Sequence, residues 1–71
     1  MYLMWWDASK RPAAVKAAEA IEAYREKHGR EPRELVVRPA MAEEIGEALG
    51  AFPVVTRNEV AKDVVYVGDN D

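Results

Sequence analysis

Tyr2-Leu3-Met4-Trp5-Trp6-Asp7-Ala8-Ser9 is the stretch on which the fold turns. Its apolar and aromatic residues stop at a polar Asp-Ala-Ser, and the run is too short to stand as a helix, so it reads as a first strand over residues 2–6. Side chains alternate across a strand, which sends Tyr2, Met4 and Trp6 to one face and Leu3 and Trp5 to the other. Both faces are apolar, the pattern of a strand covered on both sides.

Beyond it, Ser9 stands where an N-cap would, and Pro12 falls in a first helical turn, whose N–H groups have no intrahelical partner anyway. A helix then runs to Lys27 or His28. Ala14, Ala17, Ile21, Tyr24 and His28 form one stripe at helical spacing, with Ala18 beside it and Lys16, Glu19, Glu22 and Glu26 off its centre. Gly29 ends the helix as a left-handed cap after the basic Lys27. The alanines at 13, 14, 17, 18, 20 and 23 raise helix propensity and allow close approach to a sheet.

Arg30-Glu31-Pro32-Arg33 is a polar loop before Leu35-Val36-Val37, a short β-branched second strand. Pro39 opens a second helix on which Met41, Ile45 and Ala48 or Leu49 repeat, with Gly50 as the stop and Gly46 as a weak point inside it. Strands follow at Pro53–Arg57 and Val64–Val67. Their polar link, Asn58 to Asp63, is too short for a helical crossover, so they are expected to pair antiparallel. The fold class is α/β, in the broader sense α+β: one domain over residues 1–71, order β-α-β-α-β-β, with a mixed four-stranded sheet and two helices.

Two topologies compete. With the first three strands in the order 1-2-3, right-handed crossovers put both helices on one face; with strand one between two and three, the helices fall on opposite faces. The first arrangement leaves Trp5 or Trp6 exposed and the second buries both, so strand one is expected to be central.

At 71 residues the chain is near the lower size limit for independent folding, where about 60% of the unfolded surface is buried. It has no Cys and a single His, which removes disulfides and makes a zinc centre improbable, so apolar surface is expected to be covered by a partner, foremost a second copy of the chain. Lack of Cys suits a reducing cytoplasm. The apolar run 1–6 has no basic residues before it and is broken by Asp7, Lys10 and Arg11, so neither a signal peptide nor a membrane span is expected. A net charge of −3 with both signs interspersed gives no global basic field for nucleic acid.

If the first three strands are parallel, their carboxyl ends share one sheet edge, where open α/β sheets bind ligands. That edge would gather Ser9, Lys10, Arg11, Arg38, Arg57 and Asn58 with Asp7, beside two helix N-termini suited to phosphate or carboxylate. The plainer alternative is that Asp7 pairs with Arg38 or Arg57 and that Lys10 and Arg11 are solvated. Residues 7–12 hold no glycine-rich phosphate loop, which leaves nucleotide binding unsupported. Tyr2, Trp5, Trp6 and Tyr66, with Phe52, are interface or base-stacking candidates, and core packing is the commoner use of such residues. Asp69-Asn70-Asp71 reads as a frayed acidic tail rather than a metal site. His28 has no nucleophile beside it and Ser9 is the only serine, so no catalytic residue, metal or cofactor is expected.

Residues 13–69 carry Gly29-Arg30-Glu31-Pro32, Leu35-Val36-Val37-Arg38-Pro39, a short helix from Ala40 to Leu49, Pro53-Val54-Val55-Thr56 and Val65-Tyr66-Val67-Gly68-Asp69. This succession resembles the axial domain of tailed-phage major capsid proteins and their encapsulin relatives. Their extended arm, spine helix and β-hairpin loop have no counterpart here. Arg57-Asn58 and Lys62-Asp63 stand where that family often has Ser-Pro and a turn glycine. The resemblance implies a fold and a tendency to associate, and a structural role with no catalytic residues. The function expected is a non-enzymatic structural or interaction module, self-associating and virus-related; the alternative is a small anion- or nucleic-acid-binding domain using the carboxyl edge.

Overall fold

The computed structural model describes residues 1–69. Its elements are β1 (Tyr2–Trp6), α1 (Ala13–His28), β2 (Glu34–Val37), α2 (Pro39–Ile45), β3 (Val54–Thr56) and β4 (Val64–Gly68), in the expected order. The four strands form one mixed sheet in the order β1-β4-β2-β3. β4 runs antiparallel to both β1 and β2, and β2 runs parallel to β3, so the first three strands all point the same way.

Two expectations about the sheet are corrected. β3 and β4 do not pair, and β1 lies at an edge rather than in the centre. The short link does send β4 back against β3, but opposite direction does not require adjacency. Two strand spacings are about 10 Å, a distance that residues 57–63 cover readily at up to about 3.3 Å each. The link passes over the end of β2, where Val60 packs on Val36 and Val64. β4 then enters between β1 and β2, and its β-branched residues are buried on both faces.

The chain progresses β1 to β2 to β3 across the sheet, so two crossovers of one hand place both helices on the same side. Leu3, Trp5, Leu35, Val37, Val54, Val65 and Val67 face the helices, and Ala17, Ala20, Ile21, Tyr24, Met41 and Ile45 complete this core. The expected burial of both tryptophans fails as a consequence: Trp5 packs on the core, while Trp6 is 65% exposed.

Pro12, not Ser9, is the N-cap of α1, with no side-chain capping bond; its carbonyl accepts from Val15 N and Lys16 N at 3.0 and 3.2 Å. The buried stripe is rotated from the expected one. Ala13, Lys16 and Ala20 are buried, whereas Ala14 is half-buried and Ala18 exposed. Gly29 closes the helix in the left-handed region (φ 67°), as expected. α2 opens on Pro39 but stops at Gly46 (φ 55°), short of Leu49, because a residue with so little helix propensity can leave the helix without steric cost. Leu49 and Phe52 still pack on the core from the turns that follow.

Gly68 is fixed by a close approach. A Cβ there would sit 2.1 Å from the Met1 carbonyl oxygen. Just after it, Asp69, expected to fray, is instead 5% exposed: its N–H donates to Met1 O (3.1 Å), and the Met1 ammonium donates to Asp69 O (2.6 Å). The Arg30 guanidinium lies 3.9 Å from its carboxylate. Asn70 and Asp71 lie outside the described residues.

Candidate functional site

The carboxyl edge carries, in sheet order, Asp7 after β1, Asp63 before β4, Arg38 after β2 and Arg57 after β3. Asp7, Ser9 and Arg11 form a closed knot. Ser9 N–H donates to Asp7 Oδ1 (2.9 Å), and Arg11 donates to Ser9 Oγ through its backbone N (3.3 Å) and Nε (3.2 Å). The Arg11 guanidinium also donates to the Asp7 carboxylate and to Glu19 Oε2 (2.5 Å). The N–H of Ser9, then its hydroxyl, then Arg11 hold the Asp7 carboxyl down to about 2. Arg11 is thus held by two carboxylates, and Asp7 pairs with it rather than with Arg38 or Arg57.

The other edge residues diverge. Arg38 is half-buried at the start of α2 and borders a cleft of about 410 Å³ with Lys16, Lys62, Glu44 and Asp63. Lys16, 6% exposed, reaches Asp63 Oδ1 at 3.3 Å, and so carries its charge into the interior with a partner. Asp63 adopts φ 65°, a left-handed conformation uncommon for a residue with a side chain. Arg57 is exposed, 3.5 Å from Glu59, and lines a cavity on the opposite face of the sheet. Lys10 and Asn58 are exposed. Direction along the edge brings Arg38 and Arg57 to one end of the sheet, but they flank different faces.

Among the described residues, no helix lies over that opposite face. Cross-strand register aligns Met4, Tyr66, Val36 and Val55 in one row and Tyr2, Gly68 and Glu34 in the next, with Trp6 beside Val64. Val60 packs with Val36 and Val64, and Tyr2 and Tyr66 lie against them, while Met4 is 57%, Trp6 65% and Val55 38% exposed. Gly68 has no side chain, so Tyr2 spans it, and the Tyr2 hydroxyl donates to Glu34 Oε2 at 2.5 Å. This bond to a carboxylate, with desolvation and the Glu34 charge, pushes the Tyr2 phenol up to about 12. Tyr2, Glu34, Val36, Val55, Arg57 and Val60 border a shallow cavity of about 400 Å³ here.

Three of the four interface candidates, Tyr2, Trp6 and Tyr66, therefore share the uncovered face, and Trp5 belongs to the core side. Met4 and Val55 join them. Met4 was legible from strand alternation; Val55 required the register with Val36, which no local signal supplies. His28 packs against Tyr24 with ring centres 4.5 Å apart and planes tilted by 46°, a packing role at the end of α1. Among the described residues, no group of three or more His, Cys, Asp or Glu is placed to hold a metal ion, and no helix is long and apolar enough to cross a membrane. No protein-family model, curated protein or solved structure matches the chain.

Proposed function

We propose that this chain is a small non-enzymatic structural or interaction module that associates with copies of itself, and that the helix-free sheet face is the contact. One observation carries the reading: Met4 and Trp6, two residues apart on one face of β1, stand more than half exposed on a sheet face with no helix over it among the described residues. A domain of 71 residues without disulfides gains most from covering such a face with a partner. The resemblance of residues 13–69 to the capsid axial domain supports an assembling, virus-related role, and the lack of Cys supports a place in the cytoplasm.

Molar mass by light scattering after size exclusion, across protein concentration and at low and high salt, tests the reading. A dimer or larger assembly that persists in high salt is expected, because an apolar contact is not screened. A monomer at every concentration would overturn it.

A second reading, anion or nucleic-acid binding, is favoured by the Arg38 cleft, where Lys16 and Lys62 also stand and Arg38 has no ion-pair partner among the described residues. It requires salt-sensitive binding of phosphate or oligonucleotide that weakens in the Arg38→Ala variant. Binding unaffected by that change would remove it.

A further inference from the structure

The cleft of about 410 Å³ on the helix side lies where three segments meet: the start of α1, the start of α2 and the link before β4. Its charged residues are unevenly buried. Glu44 and Lys62 are exposed and Arg38 is half-buried, while the side chains of Lys16 and Asp63 are only 8% and 23% exposed. The two exposed groups oppose one another in sign and are screened by solvent. What remains is Lys16 and Arg38 against Asp63, a surplus of one positive charge. Neither of these cations has its donors filled. An ammonium has three N–H groups, and that of Lys16, more than nine-tenths buried, makes one hydrogen bond among the described residues, to Asp63 Oδ1 at 3.3 Å. The Arg38 guanidinium, with five N–H groups, makes none among them. Donors shielded from bulk water are costly to leave unfilled, so under-filled donors bordering a cleft call for an acceptor within it. The first turn of α1, which has no side-chain cap, borders the same cleft at Ala13 and adds partial positive charge.

Going beyond self-association and resting on the second, anion-binding reading, we infer that this cleft binds a small aliphatic monocarboxylate, held by Arg38 and Lys16. One negative charge matches the surplus of one positive charge, which a phosphate dianion would exceed. The planar guanidinium of Arg38 fits both oxygens of a carboxylate, and the Lys16 ammonium adds a point charge with donors to spare. Ala13 and Met41, both buried, and Ala40 give the lining an apolar part suited to a short alkyl chain. Its lining residues include no aromatic ring on which a base would stack. The volume lies within the range of small-molecule sites, about 300–1,000 Å³.

Two-dimensional amide NMR of the whole chain, titrated at constant ionic strength with sodium butyrate, sodium phosphate and neutral butyramide, tests this. Butyrate is expected to give saturable shifts at Ala13, Lys16, Met41 and Asp63, phosphate to bind more weakly at the same amides, and butyramide to give no shifts there. Arg38→Gln and Lys16→Gln, each with a native-like amide spectrum as the check on folding, are expected to weaken butyrate binding at least tenfold. Asp63→Asn keeps an acceptor for Lys16 and tolerates the left-handed conformation at that position. By raising the surplus to two charges it is expected to shift preference toward phosphate at least threefold. Butyramide bound as well as butyrate, or butyrate affinity unchanged in both glutamine variants, would overturn the proposal. An unchanged preference in Asp63→Asn would contradict the charge matching that selects a monocarboxylate. Phosphate binding without butyrate binding would overturn the carboxylate assignment and leave the anion-binding reading standing; a chain that binds neither anion would overturn both.

Discussion

The two faces of the sheet are built from the same residue types and have opposite fates. On the helix side, Leu35, Val37, Val65 and Val67 are closed over by α1 and α2, with alanines bringing α1 close. On the other side, Val36 and Val64 are buried with Val60 from a loop, with Tyr2 and Tyr66 packed against them, and Met4, Trp6 and Val55 stand partly exposed. The difference lies in topology, not hydrophobicity. Both crossovers travel the same way across the sheet, so the single helical layer stabilises one face, and the other has no helix over it among the described residues.

The largest expected effect separates the faces directly. Leu35→Ala, fully buried on the helix side, is expected to cost about 2–5 kcal/mol, a large share of the ~5–15 kcal/mol of an ordinary domain. Val55→Ala on the uncovered face is expected to change monomer stability by less than about 1 kcal/mol. Urea unfolding of both variants measures the contrast, and equal losses would break it.

The helix-side core also contains a defect. The Tyr24 hydroxyl is buried and has no hydrogen-bond partner among the described residues, at a desolvation cost of about 1–3 kcal/mol. Tyr24→Phe keeps the ring and its packing on His28, and is expected to raise Tm by several degrees, since about 1 kcal/mol shifts a domain of this size by roughly 4–8 °C. A lower Tm would show that the hydroxyl is satisfied.

Smaller effects come from the two shifted acids, which act in opposite pH windows. Asp7, held down to about 2, contributes stability above the unfolded carboxyl's range near 4 that is lost as pH falls toward 2. Tyr2, held up to about 12, contributes below pH ~10 and loses that contribution as pH rises toward 12. Tm profiles of Asp7→Asn and Tyr2→Phe are expected to converge on the native profile at the acid end and the alkaline end respectively. Convergence in the reverse windows would contradict the assigned hydrogen bonds.

Local signals carried much of this architecture. The bounds of β1, the Gly29 stop and the Pro39 start follow from residue type alone, and strand alternation placed Tyr2, Met4 and Trp6 together. What was not legible depends on contacts distant in sequence. The link before β4 encodes a reversal of direction but not which strand lies between, and the central place expected for β1 rested on burying both Trp5 and Trp6. Lys16 reads as lying off the centre of the apolar stripe, and its burial is not legible because its partner Asp63 is 47 positions away. The carboxyl edge was foreseeable from strand direction, but the separation of Arg38 and Arg57 depends on which face the helices occupy.

Trp6→Glu, followed by molar mass over a wide concentration range and by Tm at the lowest concentration, tests the central claim most directly. Trp6 is 65% exposed, so the substitution is expected to leave the dilute chain folded with Tm nearly unchanged. The assembly proposed for the native chain is expected to give way to monomer. Association undiminished by a charge at this position would contradict the claim that the uncovered face is where the chain meets its partner.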